Sequence, residues 1–180
     1  MPSNALNLVA DDLVSYMWDR DPLEATLMGF RAYDRGLADL SLAAEASLRE
    51  RRHALRKRVL DIGTDALSGQ DVFTKAVVLA VLSNMDEFEI AGQDEFTVSD
   101  FPVAPASALL AYVHMISLTN EDEAHAYIDR LREIPRYLHQ HQQRLAQGRK
   151  RGLTPVAHLV EAAARQIEKY LGADTEPLHL

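Results

Sequence analysis

The sequence predicts an all-α protein, an irregular array of about six or seven helices rather than a regular four-helix bundle. Apolar residues recur every three or four positions over most of the chain, which is the spacing of one helix face. Residue combinations that begin helices, such as Asp21-Pro22 and Ser68 with Asp71, recur between these stretches. One irregular, extended segment near residues 93–104 interrupts the pattern, and a short strand is considered there.

A single domain covering residues 1–180 is expected from the length and composition. The chain has 180 residues, of which 47% are hydrophobic, and this is enough to bury a substantial core. It contains no internal repeat, low-complexity tract or clear linker that would divide it.

Two helices separated by Asp21 are predicted at the start of the chain. The first has apolar residues at helical spacing. Asp21 is the expected N-cap of the second, shorter helix, because Pro22 suits its first position and Glu24 completes a capping box. Gly29 is expected to end this helix, and residues 31–40 then form a loop.

Ser41 and Ser68 are the expected N-caps of two long helices. The helix after Ser41 reaches about residue 63. The helix after Ser68, where Asp71 completes a capping box, ends near residue 91. Its residues 77–82 are an unbroken apolar run, and a helix without a polar face is expected to be central in the fold.

Two helices are predicted after the extended segment. Pro105 begins an uncharged one, and Thr119 or Asn120 caps the next. Pro135 should kink or split this second helix, because proline lacks an amide hydrogen and its ring clashes with the preceding turn. The inward face would consist of Tyr127, Leu131, Ile134, Leu138 and Leu145.

A last helix is predicted from Thr154-Pro155 to Gly172. Pro155 suits the first turn, and Gly172 follows the last apolar position. Its helically spaced apolar residues are expected to face inward: Val156, Val160, Ala163, Ile167 and Leu171.

Composition excludes several classes of function. The chain has 19 Lys and Arg against 27 Asp and Glu, a net charge of −8, which argues against nonspecific nucleic-acid binding. The absence of cysteine excludes disulfides, thiolate metal sites and a cysteine nucleophile. A cytoplasmic location is expected because the start lacks the features of a secretory signal. In the uncharged stretch 101–118, prolines interrupt the pattern, and the helix-competent part after Pro105 is too short to span a membrane.

No catalytic residue, cofactor or strong metal site is predicted in this chain. A zinc hydrolase of the HExxH kind needs two imidazoles one helical turn apart and a glutamate beside the first. None of the seven histidines begins an HExxH sequence. His158 and Glu161 are weak metal candidates, since they share a helix face but have no identifiable third ligand. Phosphate-binding glycine loops and GxSxG elbows are absent from the sequence.

Three polar clusters are assigned to solvated surfaces. His139 and His141 point in different directions on a helix and are expected on a polar face. The basic run from Arg49 to Arg58 is expected to form ion pairs within its own helix. Solvent exposure is also expected for three carboxylates that have no partner evident in the sequence: Asp86, Glu87 and Glu89.

Two blocks of residues carry a family resemblance. The first runs from Tyr16 to Gly29 and continues through a short loop, and the second begins at Tyr127 and ends in two glycines. Their most specific residues are Trp18, Asp21, Pro22, Gly29, Tyr33, Asp34, Arg130, Leu131, Pro135, Gly148 and Gly152. Together the blocks resemble the N-terminal half of a large bacterial group, the "domain of unknown function 885" family. The resemblance covers most of the chain.

The resemblance implies structural roles for these residues. Trp18 would anchor the first helix, and the following loop would wrap back over it. An ion pair of Arg20 with Asp34, or of Arg31 with Asp39, would hold this loop. Full-length members of the family look like zinc-dependent peptidases, so zinc is implied only for them, because HExxH is absent here.

Three functions from different classes follow. The favoured one is a non-catalytic N-terminal helical module of a metallopeptidase-like hydrolase, which forms one wall of a substrate cleft and has a C-terminal catalytic half as its partner. The alternative is a stand-alone helical interaction or binding protein with no enzymatic activity. The third is a small metalloenzyme that uses His158 and Glu161, which only their local spacing favours.

If this chain is one wall of a larger cleft, it is expected to leave apolar side chains uncovered. The candidates for such an interface lie in the extended segment: Phe96, Val98, Phe101 and Val103. Large apolar patches are rare on monomeric proteins. The chain is therefore expected to self-associate, most simply as a symmetric dimer, or to bind a partner through that surface.

Overall fold

The computed structural model describes residues 4–65 and 67–172, and all regular structure in them is helical. Seven α-helices form this part of the chain: α1 (Asn4–Arg20), α2 (Pro22–Leu27), α3 (Leu42–Asp61), α4 (Gly69–Ile90), α5 (Pro105–Tyr112), α6 (Glu121–Lys150) and α7 (Ala157–Leu171). Short 3-10 turns occupy Arg31–Tyr33, Gln93–Glu95 and Val113–Met115. The predicted all-α class is confirmed. The segment near 93–104 begins as a 3-10 turn and continues in bends and turns rather than as a strand.

The start of α2 is fixed by a side-chain cap, as predicted. Asp21 Oδ1 accepts the Glu24 amide at 3.0 Å, and Pro22 occupies the first turn. The full capping box is not formed within the described residues. The Asp21 amide already donates to the Met17 carbonyl of α1 at 2.9 Å, so Glu24 has no free amide to accept from.

The starts of α3 and α4 also follow the predicted caps. Ser41 Oγ accepts the Ala44 amide at 3.2 Å. Ser68 and Asp71 form a reciprocal capping box at the start of α4. These signals were readable in the sequence because each cap joins residues three positions apart.

Two glycines in the left-handed region end α2 and α6. Gly29 has φ of +90°, its amide donates to Thr26 at 2.9 Å, and the Phe30 amide donates to Ala25 at 2.9 Å. Gly152, with φ of +80°, ends α6 in the same way. Glycine is favoured at such positions because a Cβ atom would be strained there.

The buried core has two parts. One lies among α1, α3 and α4 and includes Tyr16, Leu55 and Leu82. The other joins α2, the loop that follows it, α5 and α6, and includes Leu23 and Leu109. The space between these two parts is the candidate functional site described below.

The prediction that α4 is central was wrong. Val78 and Leu82 are buried against α1 and α3, but Val77, in the same apolar run, is 45% exposed. The described residues therefore leave one face of α4 uncovered. Apolar composition showed that the helix has no polar face, but it could not show whether a second layer covers it. No helix in the described part of the chain is long and apolar enough to cross a membrane.

The inward face of α6 was predicted only in part. Tyr127 and Ile134 do pack on the second part of the core, whereas Leu131 and Leu138 are exposed. The helix also runs unbroken past Pro135 rather than splitting. Its buried residues are instead mostly polar or small: Ala126, Arg130, His141, Arg144 and Gly148.

The predicted inward face of α7 was also wrong. Only Ala163 of that face is buried, and the helix begins at Ala157 rather than at Thr154-Pro155. The remaining members of the stripe are exposed: Val156, Val160, Ile167 and Leu171. This apolar stripe is therefore left exposed by the described part of the chain.

The loop after α2 is held by Arg130 rather than by either predicted ion pair. Arg130 is completely buried, and its guanidinium donates to the carbonyls of Tyr33 (2.6 Å) and Gly36 (2.9 Å) and to Thr26 Oγ1 (2.6 Å). It also reaches the Pro22 carbonyl at 3.3 Å. One α6 side chain thus fixes α2 and its loop.

Two further contacts lie within the loop after α2 and between α1 and the start of that loop. Arg31 pairs with Asp34 at 3.4 Å, three residues away, instead of with Asp39. Trp18 is half-buried and packs on Phe30, with ring centroids 5.1 Å apart. Trp18 therefore does join α1 to the start of the loop.

Gly148 lets α6 touch the Gln93–Glu95 turn. A Cβ atom at this position would lie 2.0 Å from the Glu95 carbonyl oxygen, which is impossible without separating the two backbones. The absence of a side chain thus brings the turn, and with it Asp94, over the inward face of α6.

Candidate functional site

A cleft of about 790 Å³ opens between the two parts of the core. Helices α1 to α6 all contribute side chains to it, and its lining is mainly apolar. Leu23, Leu37, Leu48, Met85 and Tyr112 are typical members. This volume and composition are those of a small-molecule or peptide site.

One wall of the cleft contains the buried guanidinium of Arg52. It donates to Asp86 and Glu89 of α4 and to the Tyr16 hydroxyl at 3.2 Å. Burial disfavours the charged form, but these hydrogen bonds outweigh that effect and raise the pKa of Arg52. Burial likewise opposes ionisation of Glu89, but hydrogen bonds from Arg52 and Arg49 lower its pKa.

These contacts correct two predictions about charged runs. The basic residues of α3 pair with neighbouring helices instead of within α3, and Asp86 and Glu89 have partners instead of facing solvent. Glu87 is exposed, as predicted. The additional interhelical pairs are Arg49 with Glu89, Arg56 with Asp86, Arg51 with Asp19 and Arg58 with Asp12.

A second buried guanidinium, that of Arg144 on α6, also lines the cleft. It donates to both carboxylate oxygens of Glu45 on α3, at 2.6 and 2.8 Å, and lies 3.7 Å from Glu95. Burial opposes its charge, but the bonds to Glu45 outweigh this and raise the pKa of Arg144. Glu95 pairs in turn with Arg151 at 2.5 Å. Neither buried guanidinium is free to bind an anion.

The cleft carries an excess of negative charge. Its lining contains three guanidiniums, from Arg20, Arg52 and Arg144. It contains six carboxylates: Asp21, Glu24, Asp39, Glu45, Glu89 and Asp94. Because two of the guanidiniums are engaged by carboxylates, the cleft disfavours phosphate and other anions and favours apolar or cationic ligands.

Tyr137, His141 and Arg144 form one row along the inward face of α6, at the spacing of a helix face. Burial raises the pKa of Tyr137, and the negative charges of Asp21 and Asp94 raise it further. The phenol is therefore protonated at neutral pH, and its hydroxyl lies 3.4 Å from the Pro105 carbonyl.

His141 is the least expected member of this row. It is 6% exposed, although the sequence assigned it to a polar face, whereas His139 is exposed as predicted. Burial lowers the pKa of His141, and a backbone hydrogen bond with Thr97 and the charge of Asp94 offset only part of this. The ring is therefore neutral at pH 7, and its Nε2 has no hydrogen-bond partner among the described residues.

A pH dependence of stability is expected from His141. In the unfolded chain its pKa returns to about 6.5, above the folded value, so the unfolded state binds the proton more readily. The free energy of unfolding should therefore fall as pH decreases below about 6.5. Urea melts between about pH 7.5 and pH 5 should show this loss, and His141→Gln should reduce it.

His139→Gln is the matched control, since His139 lies on the same helix and is exposed. It should keep the wild-type pH dependence. Equal slopes for wild type, His139→Gln and His141→Gln would contradict the assignment of a buried neutral imidazole at position 141.

His158, Glu161 and the hydroxyl of Ser41 do not come together in the cleft. The described residues contain no group of three side chains that could hold a metal ion. Ser41 lines the cleft, but its hydroxyl caps α3. His158 and Glu161 are exposed on α7, and Glu161 lies 4.0 Å from Arg165, one turn further along the same helix.

Few of the family-motif and interface residues singled out in the sequence line the cleft. Asp21 and Val103 do, whereas Trp18 and Arg130 lie outside its lining. In the candidate interface, Phe96 and Val98 are half-buried, and Phe101 and Val103 are 66% and 58% exposed. Val103 therefore belongs to the rim of the cleft.

The sequence did contain a signal for the missed row. Tyr137, His141, Arg144 and Gly148 recur at intervals of four, three and four residues, which places them on one helix face. The glycine at the end of this row leaves room for another backbone to approach the helix. The prediction followed the apolar residues of α6 and therefore overlooked the face that carries this row.

The fold and the site define the class of this protein: an all-α chain with an open cleft of net negative charge. The chain belongs to the family described as bacterial protein of unknown function (DUF885), which matches residues 22–179. No curated protein and no solved structure matches the chain.

Proposed function

We propose that this chain is a non-catalytic N-terminal helical module of a metallopeptidase-like hydrolase and that its cleft forms one wall of the substrate site. The observation that carries the proposal is the cleft itself, which is mainly apolar and has about 790 Å³ of space. Its walls are stiffened by the ion pairs of Arg52 and Arg144. A short peptide with apolar side chains fits such a site.

In this proposal the hydrolytic chemistry belongs to a C-terminal catalytic half. The resemblance of the sequence implies zinc for full-length family members, and zinc hydrolysis needs a set of nitrogen and oxygen ligands with one open position. The absence of HExxH from this sequence supports assigning the metal to the other half. This chain would position the substrate.

The uncovered apolar surfaces support contact with such a partner half. The stripe on α7 formed by Val156, Val160, Ile167 and Leu171 is exposed along its length. Exposed apolar stripes of this kind are typical of surfaces that another protein covers.

The purified chain is expected to bind short apolar peptides without cleaving them and to contain no stoichiometric zinc. Calorimetric titration with the amidated tripeptide Leu-Phe-Ala measures binding, and elemental analysis measures the metal. Ala108→Phe should abolish binding, because Ala108 lines the cleft. Ala111→Phe, on the same helix but outside the lining, is the matched control and should bind as wild type does.

Two results would overturn the proposal. One is zinc held tightly at one ion per chain and lost in His158→Ala, which would favour the small metalloenzyme. The other is no binding of any peptide at millimolar concentration. If sedimentation also shows a dimer that Val160→Glu dissociates, the alternative is favoured, a stand-alone interaction protein, which the exposed stripe of α7 supports.

A further inference from the structure

An unpartnered carboxylate and an unpartnered imidazole both line the α6 side of the cleft. Asp94 is exposed, lines the cleft and makes no hydrogen bond or ion pair with any described residue. His141 lines the same cleft and is more than nine-tenths buried, with no partner for Nε2 in the described part of the chain. Gly148 fixes their relation, because it allows the turn that carries Asp94 to rest on α6.

The charge at this end of the cleft is unbalanced. Arg144 is held by Glu45 and Glu95, and Arg151 is held by Glu95. With Asp94 included, three carboxylates face two guanidiniums, so one negative charge lacks a counter-ion. A ligand that supplies a positive charge would restore the balance.

The imidazole adds no positive charge that would compete with a cation. Burial lowers the pKa of His141, so its ring is neutral at pH 7. Its Nε2 is buried and has no hydrogen-bond partner among the described residues. Tyr137, beside it on α6, provides an aromatic surface that favours cations.

We infer that Asp94 and Tyr137 bind a primary ammonium group of the ligand beside the neutral ring of His141. An ammonium carries one positive charge and three N–H donors, which suit the unpaired carboxylate of Asp94. The inference rests on the proposed function, because it specifies which part of a peptide enters the cleft first. In a peptide the group is either the N-terminal ammonium or a lysine side chain, and both have the same chemistry.

Three probes separate these sources, all with an amidated C-terminus: Leu-Phe-Ala with a free N-terminus, the same peptide N-acetylated, and N-acetylated Leu-Phe-Lys. At least one cationic probe should bind about tenfold more tightly than the neutral one, because hydrogen bonds to charged groups are the strong ones. Whichever cationic probe binds tightly identifies the source. Calorimetric titration gives the affinities.

Asp94→Asn tests the residue assignment. It should lower the affinity of the preferred cationic probe by about tenfold and leave the neutral probe unchanged. Asp94 is exposed and unpaired, so this variant should fold normally. Asp11→Asn removes an exposed carboxylate outside the cleft and should leave all three affinities unchanged.

The outcomes distinguish the inference from the function on which it rests. Equal affinities for cationic and neutral probes, or wild-type affinity in Asp94→Asn, would overturn the ammonium site and leave the peptide cleft in place. If none of the three peptides binds at millimolar concentration, both the ammonium site and the peptide cleft are overturned.

Discussion

Replacing Arg130 with methionine is expected to lower the free energy of unfolding by about 3–5 kcal/mol, because several hydrogen bonds from a charged donor are lost, each worth about 1.5–3 kcal/mol. The guanidinium is completely buried and serves two carbonyls and a hydroxyl within 2.9 Å. Without it these acceptors stay buried and unpaired. Burial lowers the pKa of Arg130, so removing its charge regains some free energy, but less than the lost hydrogen bonds cost.

Arg132→Met is the matched control for this change. Arg132 lies one half-turn away on α6, its side chain is 73% exposed, and its ion pair with Asp129 is local. Its loss should change stability by no more than about 0.5 kcal/mol. Denaturant melts that place Arg130→Met within the same range would show that Arg130 does not hold the loop after α2.

Gly148→Ala is expected to destabilise the protein by about 3 kcal/mol, the upper end of the usual cost of overpacking. The new Cβ would lie 2.0 Å from the Glu95 carbonyl oxygen, and the obstacle is backbone, which cannot rotate away. The turn that carries Asp94 must therefore move off α6. Peptide binding should weaken together with stability.

Gly69→Ala provides a control of opposite expected sign. Gly69 also lies in a helix, at the start of α4, but a Cβ atom there would have no neighbour within 4 Å. Alanine is favoured over glycine in helices by up to about 1 kcal/mol, so this variant should be as stable as wild type or more stable. Equal melting behaviour of the two variants would contradict the close contact at Gly148.

Local features of the fold could be predicted from the sequence, whereas the packing of the helices against one another could not. Asp21, Ser41 and Ser68 were identified as caps because each interaction lies within four residues. The burial of α4 and α7 was mispredicted because an apolar stripe shows which side chains prefer to be covered, not whether this chain covers them. On α7 the stripe of Val160 and Ile167 stays exposed.

The candidate site was the harder part to predict. Arg52 pairs with Glu89, which lies 37 positions away in the sequence, and Arg144 pairs with Glu45, which lies 99 positions away. Helical periodicity places a residue on a face but does not say which helix lies opposite. His141 was missed for the same reason, since its burial depends on the Gln93–Glu95 turn, which Gly148 brings close to α6.

The location of peptide binding on the chain tests the central claim most directly. The chain labelled with nitrogen-15 is titrated with amidated Leu-Phe-Ala, and backbone amide shifts are followed by NMR. The cleft account predicts saturable shifts at Ala108, Tyr112, Tyr137 and His141. Shifts confined to the exposed stripe of α7, with none along the row on α6, would contradict it.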